Sequence, residues 1–100
     1  MNDPTLMLNK IEELLKASRQ TDDLFHHAAV FGAVSSMVKQ LSDFFEENAD
    51  WAGENMEHLR WHSAAMLGYD ITNGKEVEQH HVWTPGAIGG LRQALLRIER

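Results

Sequence analysis

The 100-residue chain contains no cysteine and only two prolines. The lack of cysteine excludes disulfides, thiolate catalysis and cysteine-ligated zinc, and it fits a cytoplasmic protein. No apolar run approaches the roughly 20 residues that a membrane-spanning helix requires, and the N-terminus lacks the basic-then-apolar pattern of a signal peptide. We therefore expect a cytoplasmic protein that makes no membrane contact.

Basic residues are also scarce, because nine Lys and Arg stand against fifteen Asp and Glu and give a net charge of −6. Residues 42–80 alone hold nine acidic and two basic residues, a local charge of −7. This is not the basic footprint of a nucleic-acid-binding protein, so no direct nucleic-acid binding is expected. The acidic middle of the chain suits a protein partner with a basic surface, and a merely solvated surface is the alternative.

Apolar residues recur at helical spacing in four segments. This pattern predicts an all-α fold: one compact four-helix domain over residues 1–100, with one irregular connection between helices three and four. Helix one is predicted over residues 3–19, because Asp3 can cap it and Pro4 suits its first position.

Residues 22–48 are the longest segment without a turn signal and predict helix two, whose start is signalled by Thr21, Asp22 and Asp23 as capping residues. Its apolar residues occupy an arc of about 160°, which indicates burial against two or three other helices. The residues of this arc are Val30, Phe31, Ala33, Val34, Met37, Val38, Leu41, Phe44 and Phe45.

Helix three is predicted over residues 51–67, with Asp50 as its cap. Helix four is predicted to begin at Thr84, a capping residue, with Pro85 in its first turn. The three glycines that follow either delay this helix to about Gly90 or allow a close backbone contact. The residues expected to be buried in helix three are Ala52, Met56, Leu59, Ser63, Met66 and Leu67.

The segment between these helices, residues 69–83, has two interpretations. Asn73 and Gly74 suit a two-residue hairpin turn. Asn73 followed by Glu76 also resembles a capping box that opens a short helix. Because a lone hairpin is marginal in water, we favour a loop with a short helical turn.

No catalytic or cofactor motif is present. Ser35, Ser36 and Ser63 lie on predicted helices, without the strained turn and oxyanion glycines of a serine nucleophile. The glycine-rich stretch at residues 85–90 lacks the lysine and hydroxyl residue of a phosphate-binding loop. We therefore expect a protein that is not an enzyme and has no cofactor.

Glu54, His58 and His62 are the best metal-ligand candidates, because they follow one another at four-residue spacing along helix three. Zinc hydrolase motifs have a glutamate directly after the first histidine, where this chain has Leu59. Neither histidine has a glutamate three residues before it, as dinuclear carboxylate bundles require. We therefore assign no metal site and interpret the pair as half-exposed histidines at the edge of the helix.

His26 and His27 both point toward the apolar arc of helix two. This placement predicts that one or both are core histidines, hydrogen-bonded to a backbone carbonyl or an acid. A pH-sensitive contact is the alternative, because histidine changes charge near neutral pH.

Trp61 lies on the polar side of helix three, opposite Leu59 and Met66. Tryptophan is strongly enriched among the residues that dominate binding at protein interfaces. We therefore predict a protein-binding surface; the alternative is that Trp61 packs under residues 69–83. The predicted contact residues are Glu46, Glu47, Glu54, Glu57 and Trp61.

In size, acidity and lack of cysteine, the chain resembles small accessory proteins of phages and mobile elements, a class that includes anti-CRISPR inhibitors. The resemblance implies a protein that modulates or inhibits a larger macromolecular assembly, and it transfers no role to any residue. One alternative is a structural homo-oligomer, such as a homodimer, that uses helix two and the glycines of helix four. The other is a histidine-based metal-binding protein.

Overall fold

Four α-helices and one 3₁₀ turn form the described part of the chain. The computed structural model describes residues 3–67 and 77–98, except for the side chains of Ala65 and residues 77–83. The predicted all-α, four-helix domain is confirmed, and the predicted irregular connection falls outside the described residues. The elements are α1 (Pro4–Ser18), α2 (Leu24–Asn48), the 3₁₀ turn (Asp50–Ala52), α3 (Gly53–Met66) and α4 (Val77–Ile98).

Aspartate caps fix the starts of the first two helices, as the sequence predicts. The Thr5 amide donates a hydrogen bond to Asp3 Oδ1 at 2.8 Å, at the start of α1. The Phe25 amide likewise donates to Asp23 Oδ1 at 2.9 Å, at the start of α2. Each carboxylate satisfies an amide that has no partner within the helix, and it lies at the positive end of the helix dipole. Asp50 makes no such cap, because it forms part of the 3₁₀ turn instead.

The helices pack in a ring, α1 against α2, α2 against α3, α3 against α4, and α4 against α1. The α4–α1 contact includes a polar link, in which Arg92 Nη2 donates to Asn9 Oδ1 at 2.7 Å and reaches Glu12 Oε1 at 3.4 Å. The largest apolar side chains that are fully buried within this ring are Leu8, Ile11, Val34, Leu41, Phe45, Leu59, Ile88 and Leu91.

The buried side of α2 is narrower than its apolar arc. Phe31, Met37 and Phe44 are partly buried, and Ala33 is exposed, so the predicted burial of Ala33 is wrong. A ring of four helices gives α2 two neighbouring helices, which a narrower stripe can satisfy. The arc residues that are buried are Val30, Val34, Val38, Leu41 and Phe45.

Helix α4 begins earlier in the chain than the capping signals in the sequence indicate. The helix already includes Val77, so the predicted start at Thr84 and Pro85 is wrong, and Pro85 lies inside the helix. Thr84 is buried, and its hydroxyl donates a hydrogen bond to Met66 Sδ at 3.1 Å. Proline costs about 3 kcal/mol inside a helix. Packing along α3, the most extensive helix contact of the ring, offsets this cost.

The structure tests the two interpretations of residues 69–83 only in part. Residues 77–83 are α-helical. The hairpin and capping-box interpretations depend on Asn73, which lies outside the described residues, as do the side chains of His80, His81 and Trp83.

Gly89→Ala and Gly90→Ala form a matched pair that tests the packing of α4 on α3. A Cβ atom at Gly89 would meet nothing within 4 Å, so alanine should raise the free energy of unfolding by up to about 1 kcal/mol. A Cβ atom at Gly90 would lie 2.7 Å from Asn55 Nδ2, so Asn55 must move and the gain should shrink or vanish. Urea denaturation of both variants measures the difference, and equal gains would contradict a close contact at Gly90.

Candidate protein-binding surface on α3

The outer side of α3 presents an aromatic residue beside two acids. Spacings of three and four residues place Glu54, Glu57 and Trp61 on one side of this helix, which we call the α3 outer face. The Trp61 side chain is 47% exposed although the helix packs against two neighbours. Trp61 is therefore exposed near these acids, and its role in partner binding stays a prediction. The alternative, that Trp61 packs under residues 69–83, involves residues outside the described ranges.

The two acids of the α3 outer face have different surroundings. Arg60 Nη2 lies 2.6 Å and 2.8 Å from the two carboxylate oxygens of Glu57, which compensates the charge of Glu57 locally. Glu54 Oε1 lies 3.7 Å from His58 Nε2 and is highly exposed. The His58 ring in turn meets Trp61 edge-on, with 6.4 Å between the ring centroids. Contact with His58 restricts the indole without covering it.

A groove runs between α2 and α3 beside this face. Its main cavity, of about 460 Å³, continues into a second cavity of about 180 Å³ near the 3₁₀ turn, and both are lined by Ser42 and Met56. We call the two cavities together the α2–α3 groove. The short side chains of Ser35, Ser42 and Ser63 at its walls leave the space open, while Val38 and Met56 give it an apolar floor.

The acids of the α2–α3 groove gather at one end. Asp43, Glu46 and Asp50 line this end, and none of them forms an ion pair with another residue in the described ranges. The last turn of α2 contains no basic residue. Carboxylates near the C-terminus of a helix meet the negative end of its dipole, at a cost of about 0.3–1 kcal/mol each. Lys39 and Arg60 lie further along the groove.

The predicted contact residues do not all lie together. Glu46 and Glu57 line the groove, and Glu54 and Trp61 lie on the α3 outer face. Glu47 is exposed about 100° around α2 from Glu46 and does not line the groove.

Sequence reasoning missed Asp43, Asp50 and the serines that open the groove. The available signal was the seven-residue spacing of Ser35 and Ser42, which puts two small residues on one side of α2.

The candidate metal ligands on α3 contact each other instead of converging. His58 Nδ1 lies 3.3 Å from His62 Nε2, and the two rings stack with their planes 27° apart. Nearly parallel rings do not direct both lone pairs at one point. Among the side chains that the structure describes, which leave out Ala65 and residues 77–83, no three of His, Asp or Glu are arranged to hold a metal ion.

The expectation that both histidines are half-exposed is wrong for His62. This side chain is 7% exposed, whereas His58 is half-exposed. The burial arises because His62 lies on the side of α3 that faces α4, where a cavity of about 350 Å³ is lined by His58, His62, Asn55 and Ala87.

His26 and His27, at the start of α2, differ in their hydrogen bonding. His27 Nε2 lies 3.0 Å from the Ser18 carbonyl oxygen and 2.8 Å from that of Thr21. Because carbonyl oxygens only accept hydrogen bonds, Nε2 carries the proton and joins α2 to the end of α1. The predicted hydrogen bond to a backbone carbonyl is thus confirmed at His27, but this side chain is partly buried and is not a core residue. Within the described residues, His26 Nε2 is buried without a hydrogen-bond partner.

Comparisons of the chain with protein-family models, with curated proteins and with solved structures gave no match. Among the described residues, no helix is long and apolar enough to cross a membrane.

Proposed function

We propose that this protein is a small, acidic, non-enzymatic binding protein that contacts a basic surface of a protein partner in the cytoplasm. Trp61 supports the proposal most strongly. Its indole is 47% exposed, one turn from Glu57 and two turns from Glu54 on the same side of α3. A large aromatic side chain restrained by His58 can be desolvated by a partner at little cost in side-chain entropy.

The acidic end of the α2–α3 groove supports a basic partner. Asp43, Glu46 and Asp50 form no ion pairs in the described part of the chain. Their negative charges lie near the C-terminal end of α2, where the helix dipole is also negative. A lysine or arginine of a partner would relieve this repulsion. Complementary charge would also speed the encounter between the two proteins.

Binding of this kind explains how so small a protein would modulate or inhibit a larger macromolecular assembly. A basic surface that is covered by the α3 outer face and the groove is no longer available to other anionic ligands of the assembly. The aromatic contact would provide affinity, and the carboxylates would provide selection for a positively charged site.

Glu46→Gln and Glu47→Gln provide a matched test, because the two residues are neighbours near the end of α2 and lose the same charge. Both variants should be more stable than the wild type by up to about 1 kcal/mol, because both relieve the helix dipole. Only Glu46→Gln should weaken binding, by roughly fivefold, because only Glu46 lines the groove.

The partner for this test is captured from a lysate of the source organism with the wild-type chain as bait, and then purified. Affinities are compared by biolayer interferometry at low and at high salt, together with urea denaturation of the free variants. The affinity for Glu46→Gln should also depend less on salt than that of the wild type. Equal affinities of the two variants would contradict a role for the groove.

A further inference from the structure

The two walls of the α2–α3 groove carry small residues at intervals of whole helical turns. Ser35 and Ser42 are seven residues apart on α2, and both are exposed. Gly53 and Ala64 are eleven residues apart on α3. At about 3.6 residues per turn these intervals are about two and about three turns, so each pair lies on one side of its helix. Walls of this kind accept a row of side chains that is itself spaced by helical turns.

The walls offer side chains but almost no free backbone groups. Apart from their end turns, α2 and α3 hydrogen-bond their own amides and carbonyls. An extended peptide in the groove would therefore lose water from its backbone without gaining hydrogen bonds in return. An α-helix satisfies its own backbone and presents only side chains. The groove thus favours a helical segment over an extended one.

Charge is distributed unevenly along the groove. The acids Asp43, Glu46 and Asp50 lie at the end near the 3₁₀ turn. At the opposite end Phe31 and Ala64 are uncharged and partly buried. Phe31 precedes Glu46 by fifteen residues of α2, so the groove is about 22 Å long. A complementary ligand is therefore basic at one end and apolar at the other.

We infer that the α2–α3 groove takes an amphipathic helix of the protein partner, an inference that rests on the binding function proposed above. The helix is about fifteen residues long, to match the groove, and its lysines or arginines lie in the turns beside the three acids. Its apolar residues recur every three or four positions and cover Val38 and Met56. The partner thus contributes a helix with one basic end, whose other end packs against Phe31.

Selection from a phage-displayed library of random peptides of about sixteen residues tests the occupant, with the wild-type chain as the immobilised target. Enriched peptides should repeat apolar residues every three or four positions and group lysine or arginine at one end. Synthetic copies should bind with a dissociation constant in the micromolar range and become helical on binding, as measured by the Cα chemical shifts of labelled peptide. An absence of enriched peptides, or peptides that bind in an extended conformation, would overturn the proposal.

Ser42→Trp and Ser36→Trp are matched variants that locate the bound peptide. Both residues are exposed serines of α2, but only Ser42 lines the groove, where it borders both cavities. An indole at this position fills the groove, so Ser42→Trp should bind the peptides roughly tenfold more weakly or worse. Ser36→Trp should bind them like the wild type. Circular dichroism establishes that the variants are folded, and Ser35→Trp blocks the groove at a second position.

The possible outcomes separate this proposal from the proposed function. Basic peptides that bind Ser42→Trp and Ser35→Trp as tightly as the wild type would overturn the helix in the groove and leave the binding function standing. A purified partner whose affinity falls with Trp61→Ala but not with Ser42→Trp would do the same. Enriched peptides without lysine or arginine would contradict both proposals, because both require a basic ligand at the acidic end of the groove.

Discussion

Trp61→Ala is expected to weaken binding of the protein partner by roughly thirtyfold or more, equivalent to about 2 kcal/mol. Trp61 lies at the C-terminal end of the α3 outer face, where its ring meets that of His58 edge-on. Its indole offers the largest apolar area on this face, and a partner would remove that area from water. The free protein should keep its helical content and melting temperature, because the side chain is half-exposed.

Trp51→Ala is the matched control for this prediction. Trp51 is 56% exposed, close to the value for Trp61, so the two variants remove the same side chain from similarly exposed positions. The Trp51 ring instead stacks with Arg97 of α4, whose guanidinium carbon lies 5.4 Å from the ring centroid. Calorimetry with the purified partner should find nearly unchanged affinity for Trp51→Ala. Equal losses for both tryptophans would place the contact elsewhere.

Phe45→Ala is expected to lower the free energy of unfolding by about 3–5 kcal/mol. Phe45 is 1% exposed in the core and packs edge-on against Phe44, with 5.4 Å between ring centroids. Truncation removes the buried area of the ring and leaves a cavity that rigid helices fill only in part. A domain of this size is stable by about 5–15 kcal/mol, so much of the total stability would be lost.

Phe25→Ala provides the comparison at the same residue type. Because Phe25 is almost fully exposed, its loss should change the free energy of unfolding by less than about 0.5 kcal/mol. Urea denaturation measures the free energy of unfolding of both variants. Similar losses for Phe45→Ala and Phe25→Ala would contradict the assignment of Phe45 to the core and Phe25 to the surface.

The sequence was sufficient where local chemistry decides the structure. Asp3 and Asp23 cap their helices because the capping bond forms within three residues. The three- and four-residue spacing of α2 identified most of its buried side, and Trp61 was recognised by its place on the polar side of α3. These features depend on neighbours within one or two helical turns.

The sequence was insufficient where contacts between helices decide the structure. Thr84 and Pro85 are strong local start signals, yet α4 extends past them because it packs along α3. The burial of His62 depends on the side of α3 that α4 occupies. The α2–α3 groove arises from small side chains on two helices, and no single helix pattern reveals it. The exposure of Phe25 likewise depends on where α1 and α3 meet α2.

The most direct test of the proposed function is an NMR titration of the isotope-labelled chain with its purified partner. The proposal predicts that the largest shift changes cluster on α3, around Glu57 and Trp61, and along the acidic end of the groove at Asp43 and Glu46. The amides of α1 should be nearly unaffected. Shift changes that cluster on α1 or on the outer side of α4, with α3 unchanged, would contradict it.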